Sequence, residues 1–208
     1  MLGTTPTRPQ PVALPDLPTG RGGAANAAEA VLLERIALGD LRAFETLYRA
    51  YFPRLTRFLE RMTRRSDLVE EILNDTMLVV SSGAHKYNRT SKVSTWIFAI
   101  AYRKALKALR DTREFAETDV DLAELAGADE HEPKDALLQQ QLRHVLSEAV
   151  EALSANHRAV IELTYFQEMG YREIADIMGC PVETVKTRMF HARRRLKALL
   201  PDRLEDLL

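Results

Sequence analysis

The side chains best suited to bind a polyanion lie near the C-terminal end of the chain. Between Glu183 and Lys197 there are six basic residues and one acidic residue. Such a row of cations can neutralise phosphates, while polar side chains at the start of the same helix can reach the edges of bases. At helical spacing, one face carries Glu183, Lys186, Thr187, Phe190, His191 and Arg194. A basic run alone is typical of any solvated helix, so its interpretation depends on the residues around it.

The residues before this run predict a helix-turn-helix. Residues 171–178 form a short helical pattern with Ile174, Ala175 and Met178 on one face. Gly179 can adopt the left-handed conformation that ends this helix, and a proline two residues later prevents it from continuing. The second helix has its own apolar face, formed by Val182, Val185, Met189, Ala192 and Leu196. Two matched apolar faces and this turn favour DNA binding, with the second helix in the major groove.

A second basic region lies in the first half of the chain. Five cations follow each other there with one acidic residue among them: Arg103, Lys104, Lys107, Arg110 and Arg113. Just upstream are the polar and aromatic residues Tyr87, Asn88, Arg89, Lys92 and Trp96. This combination suits single-stranded nucleic acid, whose bases stack on aromatic rings while cations neutralise its backbone. Trp96 is the exception, because its spacing favours a place in the core.

The elements that position these residues are all predicted to be helical, so the expected fold class is all-α, with no strand pattern. Residues 1–28 are rich in proline and glycine, which predicts a disordered extension. Residues 29–113 and 136–208 each predict a small helical bundle, and the second bundle contains the helix-turn-helix. Residues 114–135 hold nine acidic residues and one basic residue, which predicts a flexible acidic linker.

Local signals place several helix boundaries in the first bundle. Gly39 should end a first helix that starts near Ala30, and Asp40 should cap the second helix. Pro53 should kink that second helix or split it into two packed pieces. A fourth helix, which carries the basic region, is expected from about Ser94.

Composition excludes several classes of protein. The single cysteine, Cys180, rules out an intrachain disulfide framework and suits a packing role in the turn. The five histidines lack metal-ligand spacing, and neither a phosphate-binding glycine loop nor a nucleophile elbow occurs, so we expect no metal, no cofactor and no catalytic activity.

No apolar run approaches the roughly 20 residues of a membrane span, and no secretory signal pattern occurs, so the cytoplasm is the expected location. The net charge of −1 hides a strong segregation of charge along the chain.

Taken together, these residues resemble the extracytoplasmic-function group of bacterial RNA polymerase sigma factors. In the first half, Glu71-Ile-Leu-Asn-Asp-Thr-Met-Leu is similar to the family's Asp-Leu-Val-Gln-Glu-Thr-Phe-Leu, and Ser94-Thr95-Trp96-Ile97 is similar to its Thr-Trp-Leu. In the second half, residues 153–163 are similar to the opening helix of the family's region four, and residues 170–188 to its most characteristic stretch. The two halves occur in the family's order and at its separation.

The resemblance implies a non-enzymatic subunit that directs core RNA polymerase to promoter DNA, with 29–113 as region 2 and 136–208 as region 4. The polymerase would be contacted by Glu70, Glu71, Asn74 and Asp75. The downstream (minus-ten) promoter element would be opened and held by Asn88, Arg89, Lys92, Arg103, Lys104 and Lys107. The upstream (minus-thirty-five) element would be read by Lys186, Thr187, Arg188, Phe190, His191 and Arg194. The resemblance is also compatible with a further partner, either an anti-sigma factor or another regulator.

Two departures from the family pattern modify these implications. His191 stands where many relatives have Arg, which implies a weaker guanine contact and an unusual upstream preference. Leu68 and Val69 thin the acidic cluster before the docking helix, which implies a weaker affinity for polymerase or its adjustment by another factor. The proline-rich extension lies outside the family core.

Two questions stay open at the level of sequence. A helix-turn-helix regulator that is not a polymerase subunit would carry a similar recognition motif, but a ligand or receiver domain would be expected in its first half. The acidic linker is either a solvated tether or a segment that folds back and restrains the free protein. In the second case it would cover Arg103, Lys107 or the helix from Lys186 to Lys197.

Overall fold

The computed structural model describes residues 22–112, 149–150 and 152–199. Within these ranges lie the helices α1 (Gly22–Ala37), α2 (Leu41–Thr63), α3 (Ser66–Gly83), α4 (Val93–Asp111), α5 (Ala155–Tyr165), α6 (Tyr171–Met178) and α7 (Val182–Leu199). A short 3-10 helix, Ala84–Lys86, follows α3. All regular elements in the described ranges are helical, which confirms the all-α prediction. No helix in these ranges is long and apolar enough to cross a membrane. The acidic linker 114–135 lies outside the described residues, as does most of the proline-rich extension.

The corner between α1 and α2 is built as the sequence predicts. Gly39 has a φ of +88°, a backbone conformation that favours glycine. The carboxylate of Asp40 caps α2 by accepting hydrogen bonds from the backbone N–H groups of Arg42 at 2.9 Å and Ala43 at 3.1 Å. It also forms an ion pair with Arg35 at 2.7 Å. The bonds from Ala43 and Arg35 hold the pKa of Asp40 below its ordinary value.

The first helix begins earlier than its apolar spacing indicates. It starts at Gly22 and so includes residues that the composition assigned to a disordered extension. Two polar contacts anchor this early part to the rest of the protein. The side-chain oxygen of Asn26 accepts from the backbone N–H of Val93 at 2.8 Å, and Glu29 accepts from the Tyr51 hydroxyl at 2.9 Å. Tertiary contacts therefore anchor a segment whose alanines already favour a helix but which lacks an apolar periodicity.

Pro53 does not split α2, which is continuous over 23 residues. The proline removes one backbone donor, but it lies on the exposed face, where water can satisfy the carbonyl that it frees. On the opposite face, the buried residues on both sides of the proline belong to one core. Burial of that face holds the helix together across the proline.

Helices α1 to α4 form an N-terminal unit around this core. The fully buried side chains of α2 are Leu47, Tyr51, Leu55, Phe58, Leu59 and Met62. Phe58 meets Phe98 of α4 edge to face, with 5.2 Å between the ring centroids, an arrangement that the aromatic quadrupoles favour. The outer face of α3 stays exposed, whereas α4 is buried over Ile97–Tyr102 and exposes side chains only from Arg103 onward.

Helices α5 to α7 form a C-terminal unit in which α6 and α7 make the expected helix-turn-helix. The Ser154 hydroxyl caps α5 by accepting from the backbone N–H of His157 at 3.4 Å. At the start of α6, a carboxylate oxygen of Glu173 accepts from the backbone N–H of Gly170 at 3.1 Å. Gly179 ends α6 with a φ of +63°, as predicted. The buried face of α7 consists of Val185, Met189, Ala192 and Leu196.

The two units pack directly against each other, and nothing in the helical spacing indicated this. Helix α2 contacts α5, and α4 contacts α6. Polar side chains join the units at the edges of the interface. The Tyr102 hydroxyl donates to Asn156 Oδ1 at 2.7 Å, and Arg54 Nε donates to Gln167 Oε1 at 3.1 Å. The prediction of two helical bundles is confirmed, and their interface is an additional feature.

We expect Phe58→Ala to lower the free energy of unfolding by about 3–5 kcal/mol, because it leaves a cavity beside Phe98 that the surrounding helices fill only in part. Phe52→Ala is the matched control, since Phe52 lies on the same helix but is 45% exposed. Chemical denaturation followed by circular dichroism measures both losses. Equal losses for the two variants would contradict the assignment of Phe58 to the core.

Candidate nucleic-acid interface

The outward face of α7 is the surface for which the sequence predicts base contacts. Its exposed residues include Glu183, Lys186, Thr187, Phe190 and Arg194. Lys186 Nζ lies 2.8 Å from a carboxylate oxygen of Glu183, and the Thr187 hydroxyl donates to the Glu183 carbonyl at 2.9 Å. The inward face is buried in the unit, so α7 presents these side chains as one continuous polar surface.

An aromatic group extends this surface toward α5. The rings of Phe190 and His191 are 5.6 Å apart in an edge arrangement, and His191 lies 6.4 Å from the ring of His157. Phe190 is 62% exposed, whereas His191 is half-buried between its neighbours. The His191 ring therefore lies between the rings of Phe190 and His157.

Arg188 is placed differently from the other predicted upstream residues. It is half-buried, and its Nη1 lies 3.7 Å from Cys180 Sγ and 3.9 Å from Met178 Sδ. The guanidinium thus packs on the turn of the helix-turn-helix. Cys180 is partly buried in the same place and packs against the core, as expected for a small packing residue.

The predicted downstream residues fall into two groups. Asn88, Arg89 and Lys92 lie in the loop before α4, whereas Arg103, Lys104 and Lys107 follow about three helical turns later. Arg103 and Lys107 are exposed, and Lys104 is partly buried.

The loop before α4 is held by hydrogen bonds within itself. The Tyr87 hydroxyl donates to the Ser91 carbonyl at 2.6 Å, and Asn88 Oδ1 accepts from the backbone N–H of Thr90 at 3.1 Å. Arg89 has a φ of +61°, an uncommon conformation for a residue other than glycine. Trp96 packs against the core, with its ring 5.5 Å from that of Tyr87. The side chains of the loop are therefore presented from a defined backbone.

Three of these downstream cations are paired with carboxylates. Arg89 pairs with Glu34 of α1. Lys92 pairs with Glu173 of α6 at 2.9 Å. Lys104 pairs with Asp75 of α3 at 2.7 Å. A DNA phosphate that binds any of the three cations would share it with a carboxylate of this chain or replace that carboxylate.

The outer face of α3 is the surface for which the resemblance predicts polymerase contacts. Glu70, Glu71 and Asn74 are exposed on it, together with Leu78, which is 66% exposed. Asp75 is partly covered because it pairs with Lys104. The exposed face therefore combines acidic, amide and apolar groups along about three turns of helix.

Sequence reasoning missed the charged residues between the two units. Arg158 is buried, and its Nε and Nη2 donate to the Met62 carbonyl at 3.1 and 2.8 Å, while Nη1 donates to the Leu153 carbonyl. Met62 lies in the last turn of α2, whose carbonyls have no partner within the helix. The guanidinium therefore satisfies the C-terminal end of a helix in the other unit. One signal was available: Arg158 and Glu162 stand one turn apart on the same side of an otherwise apolar helix.

Glu162 is the acidic counterpart at this interface. Its side chain is 2% exposed and forms an ion pair with Arg61 of α2 at 2.9 Å. The Arg61 guanidinium also lies over the ring of Phe166, 3.8 Å from its centre. Burial raises the pKa of Glu162 above its ordinary value, against the opposing effect of Arg61.

A helix-turn-helix unit with a basic outer helix, packed on a second helical unit, is an architecture typical of DNA-binding proteins. The family model described as Sigma-70 region 2 matches residues 47–115, and the model described as Sigma-70, region 4 matches residues 143–196. The two matched segments together cover more than half of the chain. They coincide with the N-terminal unit from α2 onward and with the C-terminal unit.

Relatives and solved structures agree with this match. The ECF RNA polymerase sigma-E factors of Salmonella typhimurium and Escherichia coli are 28% identical over 174 residues, which cover 80% of this chain and 91% of theirs. The RNA polymerase sigma factor YlaC of Bacillus subtilis is 27% identical over 156 residues, or 74% of this chain and 90% of its own. The chain belongs to the sigma-70 family, in its extracytoplasmic-function group. It is thus an RNA polymerase sigma factor, which binds the core enzyme and directs initiation at promoters.

Two solved structures share the fold. CnrH, in complex with the cytosolic domain of CnrY, is 23% identical with a TM-score of 0.60, and the match covers 83% of this chain and 96% of that one. The sigma factor RpoE of Bartonella quintana, in complex with the anti-sigma factor NepR, is 25% identical with a TM-score of 0.56, over 75% and 95% of the chains.

We expect Glu162→Gln to change the pH dependence of stability. Because the pKa of Glu162 is raised in the folded protein, the folded state retains the proton that the unfolded chain loses near pH 4.5. The free energy of unfolding of the native protein therefore falls as the pH rises from the pKa of Glu162 in the unfolded chain through its raised pKa in the folded protein. The Gln variant keeps an oxygen that can accept from Arg61 but does not titrate, so it should gain stability relative to the native protein across that window.

Urea unfolding at a series of pH values measures this difference. At pH values below the pKa of Glu162 in the unfolded chain, residue 162 is neutral in both proteins. Their free energies of unfolding should there differ by a constant amount. A difference that is the same at every pH would contradict the assignment of a raised pKa to Glu162.

Proposed function

We propose that three surfaces of this sigma factor divide the work of initiation. The outer face of α3 docks on core polymerase, the loop before α4 and the basic face of α4 hold the downstream promoter element, and the outward face of α7 reads the upstream element. One observation supports the proposal: in α3, in α7 and in the second half of α4, the apolar face is buried while polar side chains on the other face stay accessible. As a sigma factor it would act without catalytic activity of its own, in the cytoplasm, where its polymerase is.

The docking surface is supported by its shape and chemistry. Glu70 and Glu71 project from α3 beside Asn74 and the exposed Leu78. Acidic groups around an apolar side chain suit a partner surface with basic groups around an apolar pocket, where the charges give specificity and the apolar contact adds affinity. Asp75 is half-exposed and pairs with Lys104 through one oxygen, so its other oxygen can also contact the polymerase.

We expect Glu70→Lys combined with Glu71→Lys to weaken binding to core polymerase by roughly 2–5 kcal/mol, because each change removes an attractive contact and adds a repulsive one. Pull-down of core polymerase and run-off transcription measure the loss. Glu45→Lys with Glu60→Lys is the control, because it adds the same charge on the exposed side of α2. If both variants bind normally, the docking surface lies elsewhere.

The upstream surface contains two kinds of contact with different consequences. Lys186 lies in the first turns of α7, where side chains reach base edges, whereas Arg194 lies near the other end, where phosphates are closer. Lys186 is also paired with Glu183, so its position on the helix face is defined before DNA binds. His191, packed between two rings, should contact one base step in a fixed orientation.

We expect Lys186→Ala to relax the sequence preference in the upstream element, at a cost of about 1–3 kcal/mol on the preferred sequence. Arg194→Ala should weaken binding to all sequences alike and lower the slope of binding against salt by about one. Binding to a library of upstream sequences at several salt concentrations separates the two effects. Equal losses on all sequences for Lys186→Ala would show that Lys186 contacts the backbone instead.

A regulatory protein is a further proposed partner. The solved relatives include a sigma factor bound to an anti-sigma factor and a second protein bound to a cytosolic domain. We infer that this chain is also controlled by a protein that binds it. The earlier alternative, a regulator that is not a polymerase subunit, is excluded by membership in the family.

A further inference from the structure

The outer side of α1 carries large apolar side chains that the described residues leave exposed. Val31 is 49% exposed and Leu38 is 89% exposed, while Leu41, at the first position of α2, is 80% exposed. Val31 and Leu38 lie seven residues apart, so they share one side of the helix. We call Val31, Leu38 and Leu41 the apolar ridge. Exposed apolar groups that cluster in this way mark a surface that binds a partner.

The rest of α1 is also apolar on both of its sides. Its inner side is buried in the core of the N-terminal unit through Ala30, Leu33 and Ile36. On the outer side, the exposed residues that precede the ridge are Ala27 and Ala28. Arg35 stands on this side too, and its guanidinium is held by Asp40 at 2.7 Å. A helix that is apolar all round is expected to lie between two partners, and the core provides one of them.

The small area of the ridge favours a partner that belongs to the same chain. From Ala27 to Leu38 the helix rises about 17 Å, and at a width of about 10 Å this side offers roughly 170 Å². A specific complex between separate proteins buries about 800 Å² on each partner. A segment that is tethered next to the ridge needs less area, because its effective concentration is in the millimolar range.

The residues that precede α1 contain an apolar segment with a regular spacing. Residues 11–18 read Pro-Val-Ala-Leu-Pro-Asp-Leu-Pro and lie outside the described residues. Leu14 and Leu17 each stand immediately before a proline, which biases both toward the polyproline II conformation. This conformation has three residues per turn, so Leu14 and Leu17 share a face. A second apolar face consists of Val12, Pro15 and Pro18.

The spacing and the length of this segment fit the ridge. In polyproline II, Leu14 and Leu17 are about 9.3 Å apart along the axis, and Val31 and Leu38 are about 10.5 Å apart along α1. The helix rises about 24 Å from Gly22 to Leu38. The eight residues from Leu14 to Gly22 span up to about 28 Å, which leaves room for the sideways step onto the helix. Gly22 and its glycine neighbours allow the chain to reverse direction there.

We propose that residues 11–18 dock on the apolar ridge in the polyproline II conformation, with Leu17 beside Val31 and Leu14 beside Leu38. The segment then covers the side of α1 that the core leaves open. The prolines restrict the undocked segment, which lowers the entropic cost of docking. Because the ridge is covered, it is not available for contacts with other proteins.

A cysteine on the ridge reports whether the ridge is covered. In the full chain with Val31→Cys, alkylation of residue 31 by iodoacetamide is followed by peptide mass spectrometry, which distinguishes it from the native Cys180. The docking variant adds Leu14→Asp and Leu17→Asp, which place charges on the apolar face of the segment. Negative charge near a thiol slows alkylation, since the thiolate is the reacting form, so faster labelling in this variant reports exposure.

Two controls separate docking from other effects of the substitutions. The charge control adds Thr4→Asp and Thr5→Asp to Val31→Cys and so brings the same two charges outside residues 11–18. The position control places the cysteine elsewhere, as Leu78→Cys, because Leu78 is 66% exposed on α3. It is made with each of the three N-terminal sequences, and its labelling rate should be the same in all of them.

We expect residue 31 to be alkylated about tenfold faster in the docking variant than in the chain with the native segment or in the charge control. A tenfold difference corresponds to about 1.4 kcal/mol of docking free energy. The measurement is made on the free protein at several protein concentrations, and the protection of residue 31 should be the same at each of them, because the contact is intramolecular.

Two outcomes would overturn the proposal. Equal alkylation of residue 31 with all three N-terminal sequences would show that residues 11–18 do not cover the ridge. Protection that rises with protein concentration, together with a dimer in sedimentation, would show that a second copy of the chain covers it instead. No polymerase or DNA is present, so neither outcome depends on the proposed promoter-binding surfaces.

Discussion

The buried guanidinium of Arg158 is the contact on which the placement of the two units depends. It satisfies carbonyls at the end of α2 and before α5, and a buried charge without such partners would cost several kcal/mol. Glu162, one turn further along α5, is buried in the same interface and pairs with Arg61. Because both charges need partners from α2, α5 fits on α2 in one position and carries the helix-turn-helix with it.

The position of α5 on α2 determines which of the charged surfaces face solvent and which are covered. The upstream surface on α7 points to solvent, whereas the start of the downstream surface lies under α6. Three of the five predicted downstream cations pair with carboxylates from three different helices, namely Glu34 of α1, Asp75 of α3 and Glu173 of α6. Part of the basic charge in this region is therefore neutralised by other segments of the chain.

Much of the fold follows from local sequence. The helix boundaries of α3, α4, α6 and α7 agree with apolar spacing, and the turns at Gly39 and Gly179 have the left-handed backbone that their residue type favours. Two features differ from what local spacing indicated. Helix α1 begins at Gly22 and not near Ala30, and α2 is continuous through Pro53 and not split there. Asn26 and Glu29 bind residues distant in the sequence, and both ends of α2 belong to one core, so tertiary contacts support both features.

The sequence by itself determined the family, the all-α class and the residues on the outer faces of α3, α4 and α7, because helical periodicity decides which side chains can share a face. Only the tertiary structure decided which of those residues are available. Lys92 and Lys104 are paired with Glu173 and Asp75, which are distant from them in the sequence, and nothing in the sequence indicated these partners. The reason is that an ion pair between distant segments depends on how helices pack in three dimensions, and spacing along one helix carries no information about its neighbour.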